Sequence, residues 1–138
     1  MEILKKDFAT VTIHRPDSLI EVVWHRQTSD EEFKQVYTFI LKTAQKEELR
    51  YLLSDNSVGI NLAMAMQHWI ASYGSGIIKK LKLVRYARVV PYDAFQEVVS
   101  YKMYDIISRM DNGQLQFRVF YSRDEAFRWL YNGAQQLA

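Results

Sequence analysis

The element order that this chain's hydrophobic pattern spells out is strand, strand, helix, strand, helix, strand, helix, strand, helix, and few folds accept it. Two short alternating runs open it. Residues 8–14 set Phe8, Thr10 and Thr12 against Ala9, Val11 and Ile13, and residues 19–25 follow the turn Arg15-Pro16-Asp17-Ser18. Glu21 in the second run fits a sheet position not buried on both faces. Two serine capping boxes, Ser29 with Glu32 and Ser122 with Glu125, then fix the starts of the first and last helices. Between them, strands are expected at 51–54, 82–90 and 115–121. Each is followed by a helical stripe, so the early hairpin leads into strand–helix units with right-handed crossovers and parallel strands.

The helices are read from their spacing. Phe33, Val36, Tyr37, Ile40 and Ala44 line one face of the first, opposite Lys34, Gln35, Lys42, Gln45 and Lys46. Leu62, Ala65, Met66, Trp69, Ile70 and Tyr73 line the second, and Gly74-Ser75-Gly76 is expected to end it in a left-handed cap. Phe95, Val98, Val99, Met103, Ile106, Ile107 and Met110 read as the buried stripe of the third. Phe127, Leu130, Tyr131 and Ala134 read as that of the fourth. Pro91 stops one strand, and Asp111-Asn112-Gly113 reads as a turn.

A chain of 138 residues that is 49% hydrophobic and 14% aromatic can bury a core as one domain, 1–138. It has no cysteine, which removes disulfides and thiolate chemistry and suits a reducing cytoplasm. A net charge of +2 gives no reason to expect nucleic acid or a membrane surface. The N-terminus lacks the apolar run of a signal peptide. Residues 56–78 carry no Asp, Glu, Lys or Arg. However, Asn61, Gln67, His68, Ser72, Gly74 and Gly76 interrupt them, so no integral membrane segment is expected.

The topology and length resemble the STAS fold, the SpoIIAA-like fold of anti-sigma-factor antagonists. Finer features are similar to those of a group of small bacterial proteins with that fold. These are Trp24, the run Thr28-Ser29-Asp30-Glu31-Glu32-Phe33, Leu52-Leu53-x-Asp55 and Lys79-Lys80. The ending Phe117-x-Val119-Phe120-x-Ser122-x-Asp124-Glu125-Ala126-x-x-Trp129-Leu130 completes them. The resemblance implies a five-stranded mixed sheet with four helices in a single STAS-like α/β domain. It implies a regulatory or protein-interaction role by analogy. In the antagonists a serine in an Asp-Ser-Ser-Gly motif is phosphorylated. Here Asp55-Asn56-Ser57-Val58-Gly59 puts Asp55 and Ser57 on the aspartate and second serine, with Asn56 at the first and the glycine one residue late.

Candidate sites are weighed against ordinary roles. A phosphate on Ser57 would meet the positive end of the second helix, whereas the plain alternative has Asp55, Asn56 and Ser57 closing a turn. His14 and His25 sit at ends of the paired strands, but no third metal ligand accompanies them, and separate imidazoles are the expectation. Lys79, Lys80, Lys82, Arg85 and Arg88 read either as an anion-binding cluster or as charges guarding an edge strand, the second being favoured. The charge-free outward face of the second helix, with Met64, Gln67, His68 and Ala71, reads either as covered by a partner or as buried under the chain's own loops. No G-x-S-x-G elbow or phosphate-binding glycine loop is present. The sequence therefore points to a non-enzymatic interaction domain, homodimeric and without cofactor or metal. The alternative is a small-molecule or lipid-binding domain with an apolar site beside the second helix.

Overall fold

The computed structural model describes residues 1–110 and 115–137. Its six strands are β1 (Glu2–Lys5), β2 (Ala9–His14), β3 (Leu19–Trp24), β4 (Tyr51–Asp55), β5 (Arg85–Val89) and β6 (Gln116–Phe120). They form one sheet in the order β1-β2-β3-β4-β5-β6. The pairs β1–β2 and β2–β3 are antiparallel, and the three pairs from β3 to β6 are parallel. Four helices complete the chain: α1 (Asp30–Lys46), α2 (Met64–Ile77), α3 (Ala94–Met110) and α4 (Arg123–Leu137). The mixed α/β architecture agrees with the sequence reading, but the sheet has six strands, not five.

The extra strand is β1. Only Ile3 and Leu4 in it are apolar, too short a run to stand out, and Glu2 and Lys5 flank them. Its pairing with β2 is irregular between Glu2 and Leu4. Backbone bonds between Met1 and Ile13 in both directions anchor it. As a short, charged edge strand it supplies the guard that the sequence reading assigned to residues 79–88. Those residues do not form an edge. Lys79 and Lys80 lie in a 3-10 turn (Ile78–Lys80), and β5 pairs on both sides. Nor do they form a patch, because Arg85 and Arg88 point to opposite faces of the sheet. Arg85 stacks over Trp129 of α4 and donates to its carbonyl at 2.7 Å, while Arg88 lies under α1.

Because the parallel strands advance one position at a time in one direction, right-handed crossovers place α1, α2 and α3 on a single face. That face holds the larger core. Phe33, Val36, Ile40 and Ala44 of α1, Met66 and Ile70 of α2 and Val99 of α3 pack on Ile20, Val22, Leu52 and Tyr86. The other face receives α4, whose Ala126 and Leu130 pack on Leu19, Tyr51, Leu53, Ala87, Val89 and Phe120. On that face Glu21 is buried, accepting from Arg123 of α4 and lying 3.2 Å from His14 Nε2.

Local signals explain the helix starts. Ser29 and Glu32 form the expected reciprocal box: the Glu32 amide donates to Ser29 Oγ at 3.2 Å, and the Ser29 amide donates to Glu32 Oε1 at 2.9 Å. The Arg26 guanidinium clamps the same carboxylate and, with the Ser29 amide, holds Glu32 down at about 2. At α4 the Glu125 amide donates to Ser122 Oγ at 3.4 Å. The side chains of Met103, Ile106, Ile107, Met110 and Ala134, which would complete the expected stripes, lie outside what the structure describes. So does the turn at 111–113.

The expected stop at Gly74-Ser75-Gly76 does not occur. The helix runs on to Ile77, whose buried side chain continues the apolar face of Met66 and Ile70, and the Ile78 amide still donates to the Gly74 carbonyl. Packing of Ile77 outweighs the weak helix propensity of two glycines. A Cβ built on Gly74 meets nothing within 4 Å. Gly74→Ala is therefore expected to stabilise the chain by roughly 0.5–1 kcal/mol, because it restricts the unfolded chain without a clash. A denaturant melt checks this, and a loss of stability would place a bend or cap at Gly74 after all.

Candidate functional site

The carboxyl ends of the parallel strands are where open α/β sheets present ligands and partners. Here three connections meet there: the loop 56–63 after β4, residues 90–93 after β5, and residues 121–122 after β6. The first is held tightly. Asn56, 1% exposed, donates its amide to the Val89 carbonyl at 2.7 Å, and its Oδ1 accepts from the Ile60 amide at 2.8 Å. Its Nδ2 faces Gln96 Oε1 of α3 at 3.3 Å, and Gln96 Nε2 donates to Asn61 Oδ1 at 2.7 Å. On the other side Gln27 exchanges two hydrogen bonds with the Asn61 backbone, at 2.8 and 3.0 Å.

Ser57 is exposed in this loop, and both its amide and its hydroxyl donate to Asp55 Oδ1. Asp55 and Ser57 are thus brought together, but not at a helix start. The helix α2 begins only at Met64, with Ala63 as its N-cap. A phosphate on Ser57 would sit against the Asp55 carboxylate, away from the dipole of α2, so the stabilising contact expected from the sequence is absent. His14 and His25 are also separate. In the antiparallel pair His14 faces Leu19 at one end, while the His25 amide reaches Phe8 at the other. Their rings bond Glu21 and Thr10 respectively. Among the described residues no group of three or more His, Asp and Glu could hold a metal ion. No described helix is long and apolar enough to cross a membrane.

The outward face of α2 is not covered by the chain's own loops. Met64 is 73% exposed and His68 is exposed, while Gln67 and Ala71 are half-buried. The larger surprise is α3. Phe95 and Val98, expected in the core, are 61% and 52% exposed, and the buried side of its first half carries Gln96, Val99 and Ser100. Two polar residues occupy inward positions because Gln96 ties the loop 56–63 and Ser100 Oγ donates back to the Gln96 carbonyl at 2.8 Å. Tyr92 (90% exposed), Tyr101 and Tyr121 extend the exposed apolar surface. The rings of Tyr92 and Tyr121 lie 4.7 Å apart, and the Tyr121 hydroxyl donates to Glu97, a bond that pushes Tyr121 up to about 12. Nothing in the sequence periodicity revealed this surface, since its apolar residues share helical spacing with a core stripe.

A second feature lies beneath α1. Trp24, Ser54 and Arg88, near the carboxyl ends of β3, β4 and β5, join Phe33 and Tyr37 of α1 and Tyr86 around a cavity. A water centre has about 20 Å³ in which to move there, enough for one water. Trp24 stacks on Phe33 at 5.1 Å and donates from Nε1 to Ser54 Oγ at 3.2 Å. Arg88 is only 5% exposed and its Nε has no hydrogen-bond partner. Among the described residues no carboxylate pairs with it. A second cavity of the same size, lined by Gly74, Ile77, Ile78, Leu81, Leu83 and Leu115, shares Tyr37, Leu52 and Tyr86 with the first.

No protein-family model matches the chain, and neither a curated protein nor a solved structure is significantly similar to it.

Proposed function

We propose that this chain is a non-enzymatic, STAS-like regulatory domain that acts in the cytoplasm through protein–protein contact, first of all with a second copy of itself. The strand–strand–helix order with three parallel pairings supports the STAS-like reading. One observation carries the contact: apolar side chains that a free surface would not favour, Tyr92, Phe95, Val98 and Tyr101, crowd the outer side of α3 and the loop before it. The helix α2 packs beside α3, and its charge-free side also leaves Met64 and His68 exposed.

A second copy suits this surface because α3 is complementary to itself. In an antiparallel α3 pair with Val98 opposite Tyr101, Glu97 of each copy faces Lys102 of the other, so two apolar contacts are flanked by two ion pairs. Glu97→Lys or Lys102→Glu alone would convert both pairs to like charges. Each is expected to weaken association about tenfold, roughly 1.4 kcal/mol, and the double swap to restore it. Association unchanged by either single swap, measured by analytical ultracentrifugation, would remove α3 from the interface.

A second reading is a small-molecule or lipid-binding domain with an apolar site beside α2, where apolar side chains wall a cavity that is water-sized as it stands, so a ligand would have to part α2 from the sheet. Native mass spectrometry tests it: added mass that is lost on denaturation supports a bound ligand, and bare chain from mild purification opposes it.

A further inference from the structure

We propose that two copies of this chain also join along β6, edge to edge and antiparallel about Val119, so that their six-stranded sheets run on into one. This rests on the reading of α3 as a surface for a second copy and adds the strand and the register that complete the contact.

The two edges of the sheet differ. The strand β1 is four residues long, flanked by Glu2 and Lys5 and irregular in its pairing, all of which discourage a further strand. The strand β6 has none of these guards. It is five residues long, holds an even register against β5, contains no proline and carries one charge, Arg118. The Gln116 amide and the Phe120 carbonyl both bond toward β5. By the alternation of a strand, Phe117 and Val119 then turn their N–H and C=O groups outward. Among the described residues no backbone group pairs with them.

The helix α3 is tied to this edge in a fixed register. Tyr101 and Tyr104 meet the Phe117 ring at 6.4 and 4.9 Å, and Tyr121 bonds Glu97. Val119 is midway between Phe117 and Tyr121, so it lies level with Val99 and Ser100, midway between the corresponding ties on α3. The antiparallel α3 pair with Val98 opposite Tyr101 has its twofold axis between Val99 and Ser100. One axis therefore serves both the helices and the strands. That coincidence selects a second copy over an unrelated extended segment.

The side chains fit the same axis. Val119 faces its own copy in a hydrogen-bonded pair, and Phe117 faces Tyr121. Arg118 faces Phe120, the ring that its guanidinium already overlies within the chain at 5.3 Å. No like charges meet. An axis moved one residue, to Arg118, would set two guanidiniums opposite each other, which disfavours that register.

The test follows amide hydrogen exchange in the full chain across its association range, together with single-cysteine cross-linking, for which a chain without cysteine has no background. The Phe117 and Val119 amides should exchange at least tenfold more slowly at high micromolar concentration than on dilution. Val98→Glu should lose that protection. In Val119→Cys the paired Cα atoms would lie about 5.5 Å apart, within disulfide reach, so oxidised glutathione should link the copies. Gln116→Cys, about 20 Å from its copy along the strands, should not link. A dimer in which the Phe117 and Val119 amides exchange freely would overturn the edge pairing and leave the α3 contact standing. A monomer at high micromolar concentration would overturn both. Protection that does not depend on concentration would show the edge covered within one chain and overturn the pairing. Concentration-dependent protection without a Val119→Cys link would overturn the register about Val119.

Discussion

Val99→Asp is expected to abolish the folded state at ambient temperature or to destabilise it by about 3–5 kcal/mol. Val99 is buried on the inner side of α3, in the apolar core shared by α1, α2 and the sheet. The acid must either ionise without a partner or stay protonated with its hydrogen-bonding groups unmet. The neighbouring Val98→Asp is the control. Val98 is more than half exposed, so the same change one position along should leave the melt of the dilute, dissociated chain nearly unaltered. Equal melts for the two variants would mean that α3 is rotated from the orientation described.

Asn56→Ala is expected to cost about 2–4 kcal/mol, a large effect for a loop residue. Its side chain is the only described partner of the Ile60 amide and also faces Gln96, deep inside the molecule. Truncation leaves that buried amide without an acceptor and opens a void between β4 and α3. Because the loop 56–63 leads directly into α2, amide exchange should accelerate at Ile60 and through the first turn of α2 more than in α1. A denaturant melt within a few tenths of a kcal/mol of the unaltered chain would show that solvent already serves the Ile60 amide.

Elements with a strong local signal were legible in the sequence. The Ser29 box and the stripe from Phe33 to Ala44 specify α1 without help, and the alternation in β2 and β3 specifies their hairpin. Other features depended on tertiary context. The strand β1 is recruited by pairing, since two apolar residues between charges carry almost no signal of their own. Gly74 reads as a stop until the burial of Ile77 is seen. The helix α3 forms where its spacing puts it and buries Val99 as expected, but not Phe95 and Val98. Gln96 on its inner side looks solvated until the loop 56–63 supplies its partners, and Ser100 until its hydroxyl is seen to bond the Gln96 carbonyl; with these two turned inward, Phe95 and Val98 face outward. Asn56, read with Asp55 and Ser57 as closing a turn, is a buried tie to Ile60 and Gln96. Arg88 looked like one of several surface charges, because a single arginine in a strand gives no hint of which face it takes or what covers it.

The measurement that bears most directly on the interaction reading is the mass of the full chain in solution at high micromolar concentration, by sedimentation equilibrium, compared with Val98→Glu. Val98 is exposed, so its substitution should leave the melting temperature of the dilute, dissociated chain unchanged while placing a charge at the centre of the α3 contact. The account expects a dimer that dissociates on dilution and a monomer for Val98→Glu under the same conditions. A monomeric unaltered chain, or a Val98→Glu variant that stays dimeric, would contradict it.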